Sequence, residues 1–218
     1  MKIIIRWSSI LFIFLATLLN IAKLENSKAL ALPQDVLVEK LDRITLYSIY
    51  DKKSGEQAKF KNSKIYFVSE EDAKKALADI HNENPESGDL AYIVEYSLEV
   101  VRGQDNFIYV PDQDEVNLAK AVGEANQSPY QGGVPLFVGK IDDNYIILTG
   151  DNSQEIIPFF FKKQHLDKLI TRFKTENPEL AESINVEVVS LESLVHVLET
   201  SEDPVVKKIQ LIPYNSEF

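Results

Sequence analysis

The chain has 218 residues, with 23 basic side chains against 34 acidic ones, a formal net charge of -11 and no cysteine. The missing cysteine excludes disulfides, thiol nucleophiles and the common structural zinc sites, and the acidic balance argues against nucleic acid and anionic membrane surfaces, whose binding depends on lysine and arginine displacing counterions. Stability must come from packing, and a 44% hydrophobic content suffices for one sizeable core or for two small ones with a shared interface.

Met1-Lys2 and Arg6 precede an apolar run from Ile10 to Leu19, and Ala29-Leu30-Ala31 stands before Leu32-Pro33. A basic start, a single apolar run and an A-x-A site predict a secretory signal peptide over residues 1–31, with the mature chain starting at Leu32. The alternative is an uncleaved anchor, because Ile3 to Ile5 and Ile21 bring the run within reach of the roughly 20 apolar residues of a spanning helix. Removal of the leader would leave 19 basic and 33 acidic residues, a net charge near -14.

Pro33 suits the first turn of a short amphipathic helix carrying Val36, Leu37 and Leu41. Ile44 to Tyr50 alternates and is rich in β-branched and aromatic residues, Lys52 to Glu56 turns around Gly55, and Ile65 to Val68 is a second strand. Ser69 with Asp72 opens a helix that runs to about Asn82 and is stopped by Pro85. Leu90 to Tyr96 is a strand, Ser97 caps a short helix ending at Gly103, and Phe107 to Val110 is another strand. A linking helix, Gln113 to Asn126, leads through Pro129 and Gly132-Gly133 to Val134 to Gly139. That strand forms a hairpin-like pair with Tyr145 to Thr149, which turns at Gly150-Asp151-Asn152 into Ile156 to Phe161.

From there the chain repeats itself. Glu83-Asn84-Pro85-Glu86 recurs as Glu176-Asn177-Pro178-Glu179 and Ser97-Leu98-Glu99 as Ser190-Leu191-Glu192, both 93 positions on. The apolar helix positions Ala73, Ala76, Leu77 and Ile80 fall at the same offset on Leu166, Leu169, Ile170 and Phe173. The helix after Ser190 is longer, so Phe107 to Pro111 aligns with Ile209 to Pro213 at an offset of 102, nine residues having been inserted. The expected fold is α+β: two pseudo-symmetric tandem copies of a strand-strand-helix-strand-helix-strand unit, forming a mixed sheet with packed helices. Copy one covers about 42–112, the linking helix about 113–127 and copy two about 130–214, within one domain over 32–218. Two copies related by a pseudo-two-fold direct the search for function to paired faces and the groove between them.

Catalytic chemistry has no visible carrier. His81, His165 and His196 fall on three different helices, with no metal-ligand spacing. Asp112-Gln113-Asp114-Glu115 and Asp142-Asp143-Asn144 offer hard oxygens but lack the glycine and distal glutamate of a calcium loop, so a helix cap and a turn account for them. Gly132-Gly133 lacks the lysine of a phosphate loop, and no serine sits in a nucleophile elbow. The expectation is no enzyme, no cofactor and no metal.

The strongest signal is apolar. Ile156-Ile157-Pro158-Phe159-Phe160-Phe161 puts rings on both faces of one strand, and Pro158 marks an edge or a strand's beginning because a central ladder needs its N–H. One face belongs on the core; the other is either covered by a helix or binds something. Val134-Pro135-Leu136-Phe137-Val138 repeats the theme, and Tyr66 and Phe67 give the first half a matching strand. Leu136, Phe137, Phe159, Phe160, Phe161, Tyr66 and Phe67 are the candidate residues for holding extended polypeptide on apolar strips, with the second half expected to be the working side.

The order of these blocks carries a resemblance. Gly133-Val134-Pro135-Leu136-Phe137-Val138, Ile157-Pro158-Phe159-Phe160-Phe161 followed by Lys163 to Leu169, Val186 to Leu191 and a terminal Ile212-Pro213 resemble the Tic-type 22-kDa subunit family. That family comprises a soluble component of the chloroplast envelope import machinery and its cyanobacterial relatives. The first strand, Ile44-Thr45-Leu46-Tyr47, departs from the family's Val-Pro-Val-Phe pattern. The resemblance implies no enzymatic activity. It implies a periplasmic chaperone-like factor that binds unfolded or exported polypeptides for outer-membrane biogenesis or protein translocation, in contact with periplasmic domains of an outer-membrane channel. The alternatives are a docking adaptor for such a channel that handles no client, and a location in the thylakoid lumen or plastid intermembrane space.

Overall fold

The computed structural model describes residues 2–4, 32–83, 91–149 and 154–216. The apolar run of the leader, the helix stop at Pro85 and the turn at Gly150 to Asn152 lie outside these. In chain order the elements are β1 (Lys2–Ile4), α1 (Gln34–Asp42), β2 (Thr45–Asp51), β3 (Lys59–Phe60), β4 (Ser63–Phe67), α2 (Glu70–Glu83), β5 (Ala91–Ser97), α3 (Leu98–Arg102) and β6 (Phe107–Val110). The helix α4 (Gln113–Ala125) then leads to β7 (Pro135–Ile141), β8 (Asn144–Tyr145), β9 (Ile147–Thr149), β10 (Glu155–Phe160), α5 (Lys163–Glu176), a 3-10 turn (Pro178–Ser183), β11 (Ile184–Ser190), α6 (Leu191–Thr200), a second 3-10 turn (Pro204–Lys208) and β12 (Ile209–Ile212).

The caps explain several boundaries. Ser97 Oγ accepts from Val100 N at 3.4 Å and Ser190 Oγ from Ser193 N at 3.1 Å, so each serine satisfies a free N–H of the helix it precedes. Asp112 Oδ1 does the same for α4, accepting from Asp114 N at 2.7 Å, while Tyr214 Oη donates to its other oxygen. Asp142 and Asp143 form a two-residue hairpin turn between Ile141 and Asn144, with Asp142 at φ 51°. Both acidic clusters thus serve backbone geometry.

The strands form two sheets instead of one. The first has the order β3-β4-β2-β5 with β6 beside β4; the second has the order β1-β9-β10-β7-β11 with β12 beside β10 and β8 beside β7. Both use one pairing scheme. Tyr47 opposes Phe67 as Phe137 opposes Phe160, and Thr45 opposes Ser97 as Pro135 opposes Ser190. The last strand of each half runs parallel to the strand it joins, Lys64 to Phe67 beside Phe107 to Val110 and Ile157 to Phe160 beside Ile209 to Ile212. Pro158 is neither at an edge nor at a strand start. It stands inside β10, paired with Gln210 of β12 on one side and, on the other, in the gap where pairing with β9 has ended at Ile156 and pairing with β7 begins at Phe160, a gap that leaves room for a residue without an N–H.

Alternation along the second sheet feeds two cores. Leu136, Val138, Phe159 and Phe161 join Leu46 and Tyr66 of the first sheet, with Leu37 and Leu41 of α1, Leu98 and Val101 of α3, and Leu191, Leu194 and Leu198 of α6, in one cluster shared by both halves. Phe137, Leu148 and Phe160 look the other way, into a second cluster with Ala119 of α4 and Leu166, Leu169 and Phe173 of α5. The helix α2 packs on β2, β4 and β5 of the first sheet. Outer helices, a sheet, a middle layer of helices, a second sheet and an outer helix therefore succeed one another.

Sheet edges are treated differently. On β12, Lys40 Nζ of α1 donates to the Ile209 carbonyl at 2.6 Å, and on β11 Asn126 Nδ2 donates to the Val186 carbonyl at 2.7 Å. A side chain occupying an edge carbonyl blunts it as a template for further pairing. On β9 the outer edge is closed by a strand, β1.

Candidate functional site

The residues predicted to form open apolar strips are inside. Leu136, Phe137 and Phe160 are 0% exposed, Tyr66 is 0% and Phe159 and Phe161 are 2%; Phe67 is half-buried. The expectation that these rings offer a face to solvent is corrected: period-two alternation sends Phe159 and Phe161 into the shared core and Phe160 into the core under α5, so helices or the other sheet cover both faces. Full burial of each ring is favourable by about 1.5 to 3 kcal/mol, and both halves of the chain contribute to it.

Open apolar surface lies elsewhere, where β6 meets α6. Among the described strands β6 pairs with β4 alone, and along it runs a cleft of about 460 Å³ lined by Arg102, Phe107, Tyr109, Glu192, Val195 and Glu199, with Ile108 and His196. Clefts of this size accommodate a few side chains. The spacing of 192, 195, 196 and 199 places those residues on one helical face, while Leu191, Leu194, Val197 and Leu198 anchor the opposite face in the core. The inserted residues lengthen this wall. The helix α3 ends at Arg102 after five residues, but α6 runs for ten, far enough for Glu199 in its last turn to reach the first half. There Arg102 donates from Nη1 to Glu199 at 2.7 Å and from Nε and Nη2 to the two oxygens of Glu99 at 2.6 and 2.9 Å. Hydrogen bonds to the Glu99 carboxylate, with those to Glu199, hold the guanidinium above its usual range. Burial, and then the Glu192 carboxylate, push the Tyr109 hydroxyl up, so it stays a neutral donor.

A band of rings runs from this cleft across the inner face of the first sheet. Tyr109 and Phe107 have centroids 5.0 Å apart, Phe107 and Tyr66 6.4 Å, Tyr66 and Tyr96 5.5 Å, Tyr96 and Tyr50 6.4 Å, and Tyr50 and Tyr92 6.0 Å. Burial falls along it, from Tyr66 in the core to Tyr92, which is 37% exposed. The hydroxyls are tied together: Tyr50 and Tyr96 share a 2.6 Å hydrogen bond, Tyr50 Oη donates to Gln57 Oε1 at 3.1 Å, and Tyr66 Oη donates to Gln104 Oε1 at 2.9 Å. Rigid rings, with the hydroxyls of Tyr50, Tyr66 and Tyr96 already hydrogen-bonded, offer apolar contact at little entropic cost. Sequence reasoning placed Tyr66 among the candidates and passed over the others. The signal was there in Tyr92 with Tyr96 and Phe107 with Tyr109, same-face spacings on two strands.

The histidines remain apart. His165 is 7% exposed with an unpartnered Nδ1, and burial, followed by Lys162 and Lys168, lowers its pKa. His196 stands in the cleft wall and His81 in the last turn of α2. Among the described residues no three histidine, aspartate or glutamate side chains gather as a metal site, and no helix is long and apolar enough to cross a membrane.

Comparison with known proteins agrees on one family. The model of the Tic22-like family matches residues 14–218. Among solved structures, Tic22 of Anabaena, described as a protein-transport protein, superposes with a TM-score of 0.72 at 18% identity, covering 84% of this chain and 94% of its own. Tic22 from Plasmodium falciparum superposes with a TM-score of 0.59 at 18% identity, covering 80% of this chain and 90% of its own. A search of curated proteins finds no match.

Proposed function

The chain belongs to the Tic22-like family, and from that premise we propose that it is a chaperone-like factor of the periplasm that holds unfolded or exported polypeptides during protein transport and is not an enzyme. One observation carries this reading: the β6–α6 cleft, continued by the tyrosine band, gives an apolar relief suited to side chains of an extended segment. Glu192 on the cleft wall, which is not paired with Arg102 as Glu199 is, favours a basic residue next to apolar ones in the client. The net charge of -11 keeps a loaded complex dispersed. Delivery to the periplasm by a leader cleaved after Ala31 fits Leu32, which is 6% exposed and already part of the shared core.

The test is light scattering from an aggregating client. Near-equal amounts of the chain are expected to suppress it, and a Tyr92→Ser, Val195→Asn double variant to require several times more. No suppression by wild-type chain at large excess overturns the proposal. Capture of one folded outer-membrane channel domain, with no affinity for unfolded chains, selects the docking adaptor instead.

A further inference from the structure

The second sheet's outermost strand is β1. Lys2 opposes Thr149, Ile3 opposes Leu148 and Ile4 opposes Ile147, antiparallel, while the other side of β9 pairs with β10 through Glu155 and Ile156. Without β1, β9 is an edge. Its shortness is one device that blunts an edge, but it carries neither charge nor proline, the other common ones. Its neighbours show the contrast: the edges of β12 and β11 have carbonyls occupied by Lys40 and Asn126, whereas Ile147 to Thr149 receives a strand. Thr149 Oγ1 is buried at this seam with no hydrogen-bond partner, a group that a residue of a different incoming strand can satisfy. The strand seated there is also the segment that a leader peptidase cleaving after Ala31 would remove.

We propose that the outer edge of β9 is a strand-acceptor site for a short extended segment of exported polypeptide that reads basic and then β-branched, and that Lys2–Ile4 fills this site until the leader is removed. The proposal rests on the polypeptide-binding reading above and adds a second, backbone-directed contact on the opposite half of the molecule. Strand addition fits the chemistry: main-chain hydrogen bonds supply affinity for many sequences, and alternate side chains supply selectivity. The segment paired there in register reads Lys2-Ile3-Ile4. The acidic surface favours the basic residue.

The two cores draw on Leu32 through Ile212, so residues 32–218 carry the fold and serve as the test protein. The chain is free of cysteine, so Thr149→Cys introduces the only thiol. The probe is a synthetic peptide of residues 1–6 with cysteine in place of either Lys2 or Ile4. In a glutathione buffer, disulfide formation is expected about tenfold more with cysteine at the Lys2 position, which opposes Thr149, and to fall about tenfold when the chain retains residues 1–31. On the unsubstituted 32–218 chain, the native-sequence peptide should slow exchange of those β9 amides that point to the outer edge, which alternate with the ones facing β10; a peptide N-methylated at both Ile3 and Ile4 should not. Equal labelling by both cysteine peptides, or unchanged exchange on β9, overturns the strand-acceptor site. Equal labelling with and without residues 1–31 overturns the plug. The light-scattering assay runs alongside: suppression without peptide addition at β9 removes this site and leaves the wider reading standing, whereas loss of suppression by wild-type chain removes that reading.

Discussion

Phe160→Ala separates a core role from a binding role. Phe160 is 0% exposed on β10; it opposes Phe137 across the antiparallel pair and Ile212 across the parallel one, in the cluster to which α5 contributes Leu166 and Phe173. Strands on two sides and a helix above leave the hole little freedom to collapse. The cost then falls in the upper part of the range for a buried phenylalanine, about 4 kcal/mol of about 3 to 5. A domain of this size has about 5 to 15 kcal/mol in total and loses about 2 to 4 °C of Tm per kcal/mol, so Tm should drop by about 8 to 16 °C. Urea unfolding followed by circular dichroism should show a lower midpoint with an unchanged slope, since the surface exposed on unfolding is nearly the same. Tyr92→Ser, at the exposed end of the band, should move the midpoint little. A Phe160→Ala loss below about 1 kcal/mol, the size expected of an ordinary substitution, would refute the core assignment.

Three further outcomes follow from named contacts. Arg102→Ala leaves Glu99 and Glu199 facing each other; because the pair with Glu199 is partly solvated, stability should fall by only about 1 kcal/mol, but amide exchange in the last turn of α6 should rise, and unchanged exchange there would refute the tie across the cleft. Asp112→Ala removes the cap of α4 and should cost about 1 kcal/mol in urea unfolding. His165 has a lowered pKa, so the folded chain binds fewer protons than the unfolded one, whose value is about 6.5. Its contribution is complete above that pH and turns against folding as pH falls below it. Glu115, held above its ordinary value by burial, acts in the opposite sense, so the comparison is between wild type and His165→Phe: the wild-type midpoint should drop more from pH 7 to pH 5, and parallel curves would refute the role of His165.

Local chemistry was readable from the residues alone. Ser97 and Ser190 start helices where their hydroxyls can reach free N–H groups, and the offsets of 93 and 102 match the pairings of Phe67 with Val110 and Phe160 with Ile212. What covers a strand was not readable. Phe159 to Phe161 shows rings on two faces, but the cover over them comes from α5, α6 and the first sheet, and no local pattern states that. The expected working side moved for the same reason. The bulkier second half spends its phenylalanines on packing, and the first half keeps tyrosines, whose hydroxyls accept a half-open position. The cleft escaped notice because its two walls are far apart in sequence, joined only when Glu199 meets Arg102.

The shared core also governs how the chain acquires its structure. Lys40 reaches Ile209, and Asn215 Nδ2 donates to Tyr47 Oη at 3.0 Å, bonds that span 169 and 168 residues. Closing loops of that length comes before the contacts that reward it, so folding should be slow and concerted. A half-length fragment would keep its strands but lose the partner layer for Leu46, Tyr66 or Phe159. During its own emergence the chain therefore passes through a long interval with apolar strands uncovered, and it depends in that interval on the same kind of protection that it is proposed to give to others.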